Sequence, residues 1–121
     1  FVLYFAKISK VHFNNALKTE QYMSKFQDLI NSDQPVLIDF FATWCGPCQT
    51  LAPIIKDVKK NFGDDLKVLK VDIDKNQSLA SKLQIKGVPT MILYQNGKQV
   101  WRQSGVVPAS QLEAIIREKT A

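Results

Sequence analysis

Apolar residues cluster along the chain at two different spacings. After Thr19, the positions Tyr22, Met23, Phe26, Leu29 and Ile30 recur every three or four residues. That spacing predicts an amphipathic helix, capped by Thr19 and running to about Asn31, with a loop over Asn31–Pro35. Val36–Ala42 is instead a nearly unbroken apolar run, interrupted only by Asp39. Such a run predicts a central strand covered on both faces. A second helical stripe follows, formed by Leu51, Ile54, Ile55, Val58 and Phe62, with Gly63 placed to end it and Pro53 inside it, where a kink is expected. Leu66–Asp74 reads as a strand and Asn76–Gln84 as a short helix. Thr90–Tyr94 and Gln99–Gln103 read as strands joined across Asn96-Gly97, a strong hairpin signal. Pro108–Lys119 reads as a last helix, with Pro108 in its first turn.

The order is (β)αβαβαββα, the leading strand being a weak expectation within Val11–Leu17. Helix-separated strands are expected to pair in parallel and the final hairpin to add antiparallel pairing. The fold class is therefore α/β, a central mixed sheet flanked by helices on both faces. No repeat, linker or low-complexity segment divides the chain, and 121 residues suffice for one core.

Charge changes this picture little. The net charge is +5, but the lysines are dispersed, with no dense basic run and no RNA-binding aromatic motif. No nucleic-acid partner is expected. No run is long enough to span a membrane. The chain opens without Met on Phe1–Ala6, an apolar stretch too short for a signal-peptide core. This start fits a trimmed product. Cytoplasmic residence is favoured, with export left open.

Chemistry concentrates in Trp44-Cys45-Gly46-Pro47-Cys48, which holds both cysteines. The motif follows a strand and opens a helix. Cys45 then sits where free amides and the helix dipole favour a thiolate. Cys48, one turn on, can close a small ring with it. Such a pair can attack a disulfide through Cys45 and be released when Cys48 attacks back. Pro47 supplies no amide, and no charge lies between Asp39 and Lys56. The thiolate is thus less stabilised than it would be beside a histidine, which favours a reductant over an oxidant. A zinc site is a poor alternative, since the single histidine, His12, is far away in sequence. A structural disulfide would close too small a loop to stabilise much. No metal or other cofactor is expected beyond the reversible Cys45–Cys48 disulfide.

The segments "FFATWCGPC", "KVDIDKN", "KGVPT", "YQNGK" and "SGVVPASQL" together resemble the thioredoxin family, in order and at its separations, over about residues 19–120. The resemblance implies a thioredoxin domain at 19–121, preceded by an extension or first strand at 1–18. It implies that Cys45 is the attacking and Cys48 the resolving thiol, and that Asp39 is a buried carboxylate moving protons for Cys48, with Lys70 as its partner. It also implies that Pro89 is a cis-proline facing the disulfide and that Pro53 kinks the helix. Trp44, Gly46, Pro47, Ile73, Val88, Gly105 and Val106 are implied as the surface that receives substrate, with Val88 pairing to the substrate chain as an added strand. Plainer readings make Asp39 a structural polar group, Lys70 a solvated lysine, Trp44 a core residue and His12 a surface residue. Departures from the family pattern are Phe41 in place of a common Trp, Gln49 in place of a common basic residue, and a poor match over residues 1–18.

The expected activity is protein-disulfide reduction by a monomer, with disulfide-containing proteins as substrates and a thioredoxin reductase or a membrane electron donor as the source of electrons. The alternatives are a binding module that clamps partners without turnover, or a disulfide oxidase or isomerase.

Overall fold

The computed structural model describes residues 3–5 and 16–120, with side chains from residue 23 onward. Ten elements follow in order: β1 (Leu3–Phe5), α1 (Ala16–Ile30), β2 (Val36–Phe41), α2 (Gly46–Phe62), a 3-10 turn (Gly63–Asp65), β3 (Lys67–Asp72), α3 (Gln77–Lys82), β4 (Thr90–Gln95), β5 (Lys98–Ser104) and α4 (Ala109–Lys119). Five strands form one sheet in the order β1-β3-β2-β4-β5. β1, β3 and β2 run parallel, while β4 and β5 are antiparallel to their neighbours.

Alternation along β2 sorts the core into two halves. Val36, Ile38 and Phe40 pack with Phe26 and Ile30 of α1 and Leu79 of α3. Leu37 packs on the opposite face with Leu51, Ile55 and Val58 of α2 and Leu112 and Ile116 of α4. The first five residues of β2 are buried, as a strand covered on both sides must be. Asp39 shares the α2 face with Leu37.

Several sequence expectations are adjusted. Thr19 does not cap the first helix; α1 starts at Ala16. Of the strand expected within Val11–Leu17, Ala16 and Leu17 are helical, and residues 11–15, with His12, lie outside the described residues. Pro108 is the N-cap of α4 and not part of its first turn. One helix-separated pair, β3 and β4, is not parallel. The 73–89 connection, with the short helix α3 inside it, re-enters the sheet at the end where β3 stops, so β4 runs back antiparallel to β2. The hairpin signal is realised by Asn96 and Gly97, both at positive φ, and Gly63 ends α2 at φ 58°.

Lys59 is not one more solvated lysine. It is 6% exposed, and its Nζ donates to the carbonyls of Gly63 and Leu66, each at 2.6 Å. It closes the turn between α2 and β3 by satisfying carbonyls the helix end leaves over. Lys59→Met keeps most of the stem but removes both donors. Denaturant unfolding is expected to show a loss of roughly 2 kcal/mol; an unchanged midpoint would assign the turn's stability to packing alone.

Candidate active site

The C-terminal ends of β2, β3 and β5 and the N-terminal end of β4 meet at one edge of the sheet, as the pairs Phe41–Asp72, Phe40–Thr90 and Thr90–Ser104 record. α2 begins there. Its N-cap is Cys45, in extended conformation, with Gly46 and Pro47 as the first helical residues. The Cys45 Sγ accepts from the backbone N–H of Cys48 at 3.2 Å. Sulfur thus takes the place of the oxygen that Ser or Asp supplies in ordinary N-caps. The free amides and the dipole of a 17-residue helix point at this atom, which favours negative charge on it.

Cys45 and Cys48 are joined as a disulfide, with Cα atoms 5.3 Å apart. Each is 4% exposed. Overall burial does not separate them; the hydrogen bond to Cys45 Sγ does. The pair packs with Ala42, Phe41, Ile73 and Val88. Among the described residues no cluster of His, Cys, Asp and Glu could hold a metal ion, and no helix is long and apolar enough to cross a membrane.

Trp44 is 69% exposed, so it is not core. Its Nε1 donates to Asp74 Oδ2 at 2.9 Å. Asp74 was not singled out in the sequence; only its place two residues after Asp72, just past the strand, hinted that its side chain reaches this edge. Val106 is also exposed, and Gly105 turns the chain at φ 93°. The Val88–Pro89 peptide is cis, and Pro89 O accepts from Gly105 N at 2.9 Å. Ile73 and Val88, beside the cysteines, and Gly105, beside Pro89, thus converge on one edge with Trp44, Gly46, Pro47 and Val106. Pro53 lies within α2.

Asp39 is fully buried on the α2 face of β2, opposite Lys70 on β3. Among the described residues neither carboxylate oxygen has a hydrogen-bond donor. Lys70 Nζ stands 3.8 Å from Oδ2 and 4.8 Å from the centre of the Phe41 ring. Phe41 in turn touches the cysteine cluster. Lys70 is therefore not simply solvated, since its side chain is only 14% exposed. Loss of hydration raises the Asp39 pKa to about 6, with the Lys70 charge opposing the rise.

A thioredoxin family model matches residues 14–118. The chloroplastic thioredoxin Y of Oryza sativa subsp. japonica is 46% identical over 94 residues, covering 77% of this chain and 56% of that protein. Thioredoxin Y2 of Arabidopsis thaliana, also chloroplastic, is 49% identical over the same length and with the same coverage. The chain thus spans little more than half of these relatives. A solved variant of thioredoxin from Halobacterium salinarum NRC-1 superposes with a TM-score of 0.71 at 37% identity, covering 81% of this chain and 85% of that one.

The Asp39 site makes a signed prediction. The folded-state pKa of about 6 lies above the unfolded 3.8, so folding is favoured by the proton. That contribution is whole below the unfolded value and is lost as pH rises through about 6. Asp39→Asn should therefore be as stable as the parent near about pH 4 and more stable, on the order of 3 kcal/mol, near about pH 8. Denaturant melts across this range check it; a stability difference that ignores pH would exclude the buried charge as its cause.

Proposed function

The chain belongs to the thioredoxin family, and we propose on that premise that it is a protein-disulfide reductase working through Cys45 and Cys48. The observation that carries this reading is the Cys48 amide donating to Cys45 Sγ at the start of α2, beside the exposed Trp44. In the reduced protein the same amide and helix end favour a Cys45 thiolate.

The thiolate attacks one sulfur of a substrate disulfide. A Cys45–substrate bond forms, and the other substrate sulfur leaves as a thiolate that takes up a proton. Cys48 then loses its proton and attacks Cys45 Sγ. The Cys45–Cys48 disulfide forms and the second substrate thiol departs. Two electrons have passed from the dithiol to the substrate, whose two sulfurs take up their protons from solvent, in exchange for those released by Cys45 on ionising and by Cys48 on attacking. Asp39, poised near neutrality by burial, accepts the Cys48 proton, and Lys70 tunes it. No bound cofactor or metal is needed, because the sulfurs carry the electrons.

Trp44, Gly46, Pro47, Ile73, Val88, Gly105 and Val106 form the receiving surface, with Pro89 against the reacting sulfurs. An extended substrate segment pairs with the Val88 backbone as an added strand. Disulfide-containing proteins are the substrates, and a thioredoxin reductase or a membrane donor returns the electrons. The protein acts as a monomer without nucleic acid. Residues 19–121 are the redox domain, and residues 1–18 an extension that adds β1.

Insulin reduction with dithiothreitol as electron source tests the reading. Cys45→Ser is expected to abolish turnover. Pre-reduced Cys48→Ser, freed of dithiothreitol, should accumulate a mixed disulfide with substrate, since only release is lost. A Cys45→Ser protein that still binds partners while the parent does not turn over would favour a clamp instead.

The Gly46-Pro47 pair sets the direction of transfer. Pro47→His brings a cation to the first turn beside Cys45 and stabilises the reduced form. Glutathione titration should then give a more oxidising protein by tens of millivolts, where about 30 mV corresponds to tenfold in equilibrium. An unchanged potential would show that the missing charge does not set it.

A further inference from the structure

The backbone around Val88 is held from outside the site by the edge strand β5. Past α3 the chain closes with two hydrogen bonds, Ile85 N to Ala80 O at 2.8 Å and Gln84 N to Ser81 O at 3.1 Å. This is a Schellman closure, whose left-handed residue is commonly glycine. Here it is Gln84, at φ 55°. A side-chained residue is disfavoured there unless its surroundings hold it.

Arg102 of β5 supplies that hold. Its Nη1 donates to Leu83 O and its Nη2 to Gln84 O, both at 2.7 Å. The planar fork matches two successive carbonyls, and its charge sits at the negative end of α3. Two residues along the same face, Ser104 anchors the other end of the segment. Thr90 Oγ1 donates to Gly87 O at 2.6 Å, which leaves the Ser104 hydroxyl to donate to Thr90 Oγ1 at 2.9 Å. The stretch from Leu83 to Thr90 is thus fixed at both ends by β5, with Val88 between the fixed points.

We propose that Arg102 is a positioning residue for protein substrates: by clamping the Leu83 and Gln84 carbonyls it sets where the Val88 backbone stands when an extended substrate chain pairs with it. The proposal rests on the reductase reading above. Arg102 touches neither cysteine nor substrate, so its effect falls on recognition of a polypeptide and not on sulfur chemistry. A small disulfide needs only the thiols and is indifferent to it.

The test compares the parent with Arg102→Lys and Arg102→Gln. Lysine keeps the charge but cannot bridge two carbonyls as a fork; glutamine removes the charge. With insulin as substrate, both variants are expected to raise KM, glutamine by about tenfold and lysine by less, with kcat nearly unchanged. With dithiobis-nitrobenzoate as a small disulfide, their rates and their redox potentials should match the parent. Unchanged KM for insulin in both variants, or equal slowing on both substrates, would overturn the positioning role. If glutamine prevents folding, the lysine variant decides by the same comparison. A parent protein that fails to reduce insulin at all would overturn the reductase reading, and this inference with it; a parent that succeeds isolates Arg102 as the matter decided.

Discussion

Burial of β2 on both faces is the constraint from which the rest follows. A strand that meets solvent on neither side needs helices above and below, so α1 and α3 cover one face and α2 and α4 the other. It also needs a neighbour on each edge, which β3 and β4 provide. The chain leaves this strand at its C-terminal end, where the core opens. A helix starting there has its amide-rich end at the sheet edge, and the dithiol caps it. The fold thus puts sulfur where the backbone field favours its ionised form.

Two opposing electrostatic environments then lie six residues apart in sequence. At Cys45 a backbone amide meets the sulfur and favours charge. At Asp39, one layer down, hydration is stripped and among the described residues no hydrogen-bond donor replaces it, so charge is disfavoured. Lys70 stands near enough to moderate the carboxylate but not to hydrogen-bond it, at 3.8 Å. A buried ionisable group so poorly compensated lowers stability at neutral pH. Under the proposed function that expense serves proton exchange, in a reaction whose second half deprotonates a buried thiol.

Much of this was legible in the chain because local and global signals agree there. The apolar run of β2, the stripe of α2, Gly63 and Asn96-Gly97 each report a backbone need that the fold also imposes. The cysteine spacing announced its own chemistry. Other features were not legible, for distinct reasons. Thr19 has the chemistry of a cap, but the helix extends past it to Ala16, so propensity did not set the boundary. Lys59 is one of several lysines in the sequence, and only the approach of Gly63 and Leu66 carbonyls buries it. The reversed direction of β4 is set by the end of the sheet at which the 73–89 connection re-enters, which pattern alone does not supply. Asp74 and Arg102 act across long sequence separations, on the Trp44 indole and on two backbone carbonyls, and no local pattern pairs them.

The outer strand β5 has a meaning beyond its hold on Val88. The edges of an open sheet invite pairing with other chains, and proteins blunt them with short strands or charge. Here one edge is the three-residue β1 and the other is β5, which carries Lys98, Gln99, Arg102 and Gln103. Under the proposed function the protein works on disulfide-bearing polypeptides, which bring exposed strands of their own. Margins blunted in this way resist open-ended sheet growth when such a partner docks at the other end of the sheet.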